Sequence, residues 1–150
     1  MGEAGETLQE LRARFGAEGA FGKELTVEEV MDGFVSIIEP IATDDFYCVM
    51  DGGALTTRYE GIDGMRAGWA DFLGAFETLK IDPVDMVAEA PDGRSVVEFV
   101  VLSGKPKGID ARIEANGAGV WHLHEDGRLA AVEFHMDRDR AVRAAGLEPA

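Results

Sequence analysis

The sequence predicts an α+β fold, with helices in its N-terminal half and a curled antiparallel sheet in its C-terminal half. Two observations carry this. Residues 26–41 and 61–76 repeat apolar side chains at helical spacing. Residues 79–136 are instead rich in β-branched and aromatic residues, broken by turn signals.

The elements follow in order. "TLQELRARF" (7–15) reads as a short helix with Leu8, Leu11 and Phe15 on one side, and "GAEGAFG" (16–22) as a flexible glycine-rich connector. The next helix starts at Thr26, with Glu29 placed to complete a capping box. Val27, Val30, Met31, Phe34, Ile37, Ile38 and Ile41 form its buried stripe, and Pro40 kinks or ends it. "FYCVM" (46–50) reads as a strand and "DGG" as a turn. In the second strong helix Met65, Trp69, Phe72, Leu73 and Phe76 make one apolar, aromatic face. "LKIDPVDMVAEA" leads to a turn at 91–93, and "RSVVEFVVLSG" is a strand followed by a loop at "KPKG". "IDARIEANGAGVWHLH" is a long strand in which Asn116-Gly117 marks a bulge or bend. "EDG" turns into "RLAAVEFHM". "DRDRAVRAAG" is a last short helix, capped by Asp137 and stopped by Gly146.

A chain of 150 residues favours one domain, split here into an N-terminal helix with its connector (1–25) and a main unit (26–147). It is long enough to hold a core without a disulfide or metal. The single cysteine, Cys48, forms no intrachain disulfide and fits a reducing cytoplasm. The N-terminus lacks a basic start and an apolar run, so no secretory signal is expected, and no stretch is apolar for long enough to span a bilayer. The formal charge of −15 repels phosphate backbones and anionic lipids, which excludes nucleic acid and membrane as expected partners.

All three histidines fall in "VWHLHEDGRLAAVEFHMDR" (120–138). With Asp126-Gly127 as a two-residue hairpin turn, Glu125 pairs Arg128, Leu123 pairs Ala130, Trp121 pairs Val132 and Gly119 pairs Phe134. Trp121, Leu123, Val132, Phe134 and Met136 then share the core face, and His122, His124, Glu133 and His135 share an outer, wetter face. His135 comes to lie roughly 13 Å along the strands from His122, too far for both to reach a zinc ion at about 2.1 Å. Slipping the register by one, with a three-residue loop, puts the two on opposite faces. No metal site is expected, and no cofactor motif is found: there is no G-x-S-x-G, P-loop or G-x-G-x-x-G.

Taken together, "YEGIDGMRAGWADFL", the "EDGRL" hairpin and the closing Phe-x-x-Asp before a helix ending Ala-Gly-Leu resemble the SnoaL-like branch of the nuclear transport factor two-like superfamily, which also holds ketosteroid isomerase. The resemblance covers about residues 26–147. It implies a cone, a curved sheet wrapped round helices with a hydrophobic pocket at its open end, and members that bind or transform small molecules, often as homodimers joined through the outer sheet. In that cone Trp121, Phe134 and Met136 meet Phe34, Trp69, Phe72 and Phe76, a wall suited to a hydrophobic organic ligand; Met50 and Tyr59 join it.

Enzymes of this superfamily use carboxylates in a dry pocket. The strand-end base of ketosteroid isomerase falls at Met50, with Asp51 one residue late, where a turn can bring it to the pocket mouth. The isomerase's second acid falls at Gly119, which counts against steroid-isomerase chemistry. The late acid of SnoaL-type cyclases falls near Asp137, which is also expected to cap the last helix. Tyr47, Arg58 and Tyr59 flank the mouth, and Cys48 reads as core. Two functions follow. One is a cytoplasmic, cofactor-free acid–base enzyme (isomerase, cyclase, hydratase or dehydratase) with Asp51 and Asp137 transferring protons. The other is a non-catalytic ligand carrier or dimeric interaction module of the same fold.

Overall fold

Four helices and six strands form where the apolar spacing changes from helical to alternating, and a computed structural model describes them over residues 3–17, 21–91 and 93–147. In chain order these are α1 (Glu3–Ala17), α2 (Val27–Ile38), β1 (Ala42–Asp51), β2 (Thr56–Glu60), α3 (Gly61–Leu73), β3 (Phe76–Glu89), β4 (Ser95–Pro106), β5 (Ile113–Leu123), β6 (Leu129–His135) and α4 (Arg138–Ala144). The centre of the glycine-rich connector (18–20) and Asp92 of the expected turn lie outside the described residues.

The capping box of α2 is formed: Thr26 Oγ1 accepts from Glu29 N–H at 3.1 Å, and Glu29 Oε1 accepts from Thr26 N–H at 3.0 Å. The helix stops at Ile38 and tightens into a 3₁₀ turn at Glu39–Ile41 that contains Pro40, which has no amide hydrogen to continue it. α3 ends at Leu73, with Gly74 at its C-cap. Phe76, expected on the apolar face of this helix, is therefore the first residue of β3, and its ring occupies the space over Gly104. β2 was not expected. Its "TTRYE" half-buries only Thr57 and Tyr59, as an edge strand does.

The sheet is curved, unclosed and ordered β2-β1-β6-β5-β4-β3. Every neighbouring pair is antiparallel except β1–β6, which is parallel. Pro83 falls in β3, the far edge strand, where its missing amide hydrogen is tolerated and the register shifts beside it. In the β5–β6 hairpin Trp121 pairs Val132, Gly119 pairs Phe134 and Ala118 pairs His135, as the face pattern predicts. The turn itself differs from expectation. Gly127 donates to the His124 carbonyl and adopts φ +88°, and Leu123 pairs Leu129 instead of Ala130 across a register shift. A three-residue loop with a bulge thus replaces the two-residue turn and returns the strands to the predicted register. At Asn116-Gly117 no bulge forms: the β4–β5 ladder runs through it unbroken.

α1, α2 and α3 cover the inner face of the sheet. Leu8 and Leu11 of α1, Val30, Phe34 and Ile37 of α2, and Met65 and Trp69 of α3 share one core with Val96, Trp121 and Phe134. α4 covers part of the outer face, where Ala141, Val142 and Ala145 pack on Val97, Ala118 and Val120. No described helix is long and apolar enough to cross a membrane.

Candidate functional site

Strand alternation determines what faces the helices. Val96, Glu98, Val100 and Leu102 share one parity of β4 and are all buried. Val96 pairs the core residue Trp121, so this is the inner face, and Glu98 lies on it. Opposite Glu98 stands Gly119, which projects no side chain and leaves space over the carboxylate. Two residues earlier, a Cβ at Gly117 would approach the Phe134 ring at 3.1 Å, so that glycine makes room for the ring.

The space beside Glu98 is a cavity of about 50 Å³, whose wall includes Phe34, Trp69, Trp121 and Phe134. It holds a few water molecules at most. Its rings form a chain: Phe21 to Phe34 at 5.8 Å between centroids, Phe34 to Trp69 at 5.3 Å, and Trp69 to Phe134 at 5.7 Å. These separations are those of favourable ring contacts. Phe72 meets the same Phe134 ring at 5.7 Å. With Phe76 and Met136 it lines a second hollow of about 290 Å³. The seven side chains expected to form one wall are therefore divided between two spaces. Met50 is sealed in the core, and the half-buried Tyr59 ring lies against Gly68 of α3.

Glu98 is 1% exposed and meets Arg12 of α1, whose Nε lies 2.7 Å from Oε2. The contact is an ion pair without hydrogen-bond alignment, and Oε2 has no hydrogen-bond partner among the described residues. Burial pushes the carboxyl up to about 7, against the pull of Arg12.

The two carboxylates expected to transfer protons lie elsewhere. Asp51 pairs His135 across β1–β6 and turns to the outer face, so the one-residue offset from Met50 is decisive. Its Oδ2 accepts from His135 Nδ1 and from Arg140 Nε, each at 2.8 Å, and its Oδ1 from Gly53 N–H at 2.9 Å and Thr56 Oγ1 at 3.1 Å. Burial raises Asp51, but these hydrogen bonds outweigh it and hold the carboxyl below its ordinary value. Asp137 caps α4, accepting from Asp139 N–H at 2.9 Å and Arg140 N–H at 3.2 Å.

On the outer face His135 continues from Asp51 into a chain of hydrogen bonds. Its Nε2 lies 3.0 Å from Glu133 Oε1, Glu133 Oε2 lies 2.5 Å from His122 Nε2, and His122 Nδ1 lies 2.7 Å from Ser95 Oγ. Both ring nitrogens of His135 face carboxylates, so both carry protons and the ring is an imidazolium. Burial depresses His135, but Glu133 and Asp51 together raise it. Burial likewise raises Glu133, yet the hydrogen bonds from the two histidines bring it down to about 2. The wet outer face expected for these histidines holds only for His124: His135 is 4% exposed, because the chain between β1 and β2 and Arg140 of α4 close over its Asp51 partner. Among the described residues no group of three His, Cys, Asp or Glu side chains is placed to hold a metal ion. Burial pushes Cys48 up to about 12, which leaves it a core thiol.

Sequence reasoning missed Glu98 and Arg12. For Glu98 the sequence holds no signal, because Val97, Phe99 and Val101 make the other parity of the strand equally apolar; the signal for Arg12 was its place beside Leu8 and Leu11 on one short helix.

A family model described as SnoaL-like domain matches residues 24–132. No protein of curated function matches the chain in sequence. Among solved structures, the chain is similar to the epoxide hydrolase/cyclase-like enzyme SalBIII of pyran ring formation in the polyether salinomycin (15% identity, TM-score 0.56, 89% of this chain and 92% of that one). It is similar to RV0760c from Mycobacterium tuberculosis, solved with estradiol-17β-hemisuccinate (12% identity, TM-score 0.55, 89% and 93%). It is also similar to a protein with a ketosteroid isomerase-like fold from Catenulispora acidiphila, solved with trimethylamine (12% identity, TM-score 0.56, 92% and 93%). At these identities the likeness is one of fold.

Proposed function

This chain belongs to the SnoaL-like domain family, and from that premise we propose that it binds a small hydrophobic organic molecule beneath its sheet and exchanges a proton with it without a cofactor. The reaction class is isomerisation, cyclisation, hydration or dehydration. The observation that carries the reading is Glu98, a fully buried carboxyl in an apolar, ring-lined cavity, raised to about 7. A carboxyl that titrates near neutrality both accepts and returns a proton at cellular pH. In this reading the proton-transfer role expected of Asp51 and Asp137 passes to Glu98, because Asp51 is held by its outer-face partners and Asp137 by the cap of α4. A cytoplasmic location and a homodimer joined through the outer face, where Tyr47, Val49 and Val101 are half-buried, belong to the same reading.

The test is a panel of ring compounds, steroid and polyketide-like, titrated against the quenching of Trp69 and Trp121 and then incubated with the protein at pH 6–8. Mass spectrometry and chromatography report isomerisation or the gain or loss of water. Glu98→Gln is expected to keep binding and to lower turnover at least a hundredfold, the lower end of general acid–base contributions of about 10²–10⁴-fold. Turnover that survives the substitution removes Glu98 from the chemistry. The small cavity favours a second reading, a carrier or interaction module, and binding without turnover in the wild type identifies it.

A further inference from the structure

The geometry points to a small organic cation, an amine or quaternary ammonium, as the ligand class of the inner cavity, its charge taking the place of the Arg12 guanidinium beside Glu98. This rests on the reading of that cavity as the ligand site.

Four observations support it. Glu98 is a buried carboxyl whose Oε2 lacks a hydrogen-bond partner among the described residues and meets the Arg12 guanidinium at 2.7 Å. Arg12 is not part of the sheet: it reaches in from α1, and 30% of its side chain is exposed, so its guanidinium is held by one helix and not by the cavity wall. The remaining wall is aromatic, with Phe34, Trp69, Trp121 and Phe134 around the space. Ring faces attract a desolvated cation through their quadrupole, and alkylammonium groups are the ligands such boxes suit. The net charge of −15 draws cations toward the molecule and repels anions.

The competition at Glu98 decides between cation and neutral molecule. A ligand that meets the Glu98 carboxylate displaces Arg12 from its contact with Oε2. A neutral ligand then leaves Glu98 to take up a proton. A cation keeps it ionised and gains both the Coulomb attraction and the ring contacts.

Choline and its uncharged isostere 3,3-dimethylbutan-1-ol separate these cases, titrated calorimetrically and by tryptophan fluorescence. The wild type is expected to bind choline at least tenfold more tightly than the isostere. Arg12→Met, which keeps the length of the stem and removes the competing charge, is expected to tighten choline binding several-fold. Glu98→Gln is expected to abolish the preference. Equal binding, or tighter binding of the isostere, overturns the cation assignment and leaves the hydrophobic-ligand reading standing. If neither compound binds while the ring-compound panel does, the assignment is again overturned alone. If nothing in either set binds, both fall. Should Arg12→Met fail to fold by circular dichroism, the wild-type preference and its loss in Glu98→Gln still decide the matter.

Discussion

Glu98 and Glu133 sit on opposite faces of one sheet and answer pH with opposite sign. Glu98 holds its proton more tightly in the folded chain, at about 7 against an ordinary 4.5. Between those values the folded state keeps a proton that the unfolded state has released, so stability falls as pH rises through that window. At about 1.4 kcal/mol per pH unit the loss comes to roughly 3 kcal/mol. Urea unfolding at pH 5 and pH 8 is expected to show the wild type losing about this much relative to Glu98→Gln. Glu133, brought down to about 2 from 4.5, contributes stability that is present above pH 4.5 and lost as pH falls toward 2. His135, raised by the same contact, contributes fully below its ordinary 6.5 and loses that contribution as pH rises through its folded value. Glu133→Gln removes the carboxylate that joins His122 to His135 and leaves Asp51 as the charged partner of His135. Urea unfolding at pH 7 is expected to show a loss of about 3 kcal/mol, as for one partner removed from a buried pair, and a smaller loss at pH 3.

The elements meet where small residues let large ones lie flat. α3 approaches β2 because Gly68 presents bare backbone to the Tyr59 ring; a Cβ there would stand 2.7 Å from Tyr59 Cδ2. Gly68→Ala is therefore expected to push α3 off the sheet and lower stability by about 1–3 kcal/mol in thermal or urea unfolding, although alanine is the better helix former. Tyr59→Leu in the same background, by removing the ring, is expected to recover part of the loss. The hydrogen-bonded chain on the outer face links elements in the same way. Ser95, His122, Glu133, His135 and Asp51 come from β4, β5, β6 and β1, and Arg140 ties α4 to its end. β6 contributes two of its groups, and Thr56 of β2 joins it by donating to Asp51.

Over the whole molecule, the sequence revealed the fold wherever one face of an element is wet. The Trp121–Val132 and Gly119–Phe134 register followed from alternation, and α2 from its capping box and stripe. The carboxylate of the cavity stayed hidden because β4 is covered on both sides, by α1–α3 within and α4 without. "VVEFVV" is apolar at both parities, and the strand carries no period that marks Glu98 as inward. Asp51 misled for a related reason: a one-residue offset exchanges the faces of a strand, and only the pairing of β1 with β6 shows which side it takes. Phe76 continued a helical spacing that Gly74 interrupts.

The parallel seam between β1 and β6 has a consequence for how the chain is born. Asp51 and His135, which meet across it, are 84 residues apart, and until β6 has left the ribosome β1 has only the short β2 beside it. The backbone edge of β1 that faces β6 must wait unpaired through the synthesis of most of the sheet, whereas its apolar underside, with Phe46, Cys48 and Met50, packs against helices near it in sequence. Assembly therefore depends on partners distant in sequence finding one another once β6 has been made, and non-local pairing of this kind slows folding. It also leaves an unpaired strand edge, open to pairing with another chain, until β6 arrives.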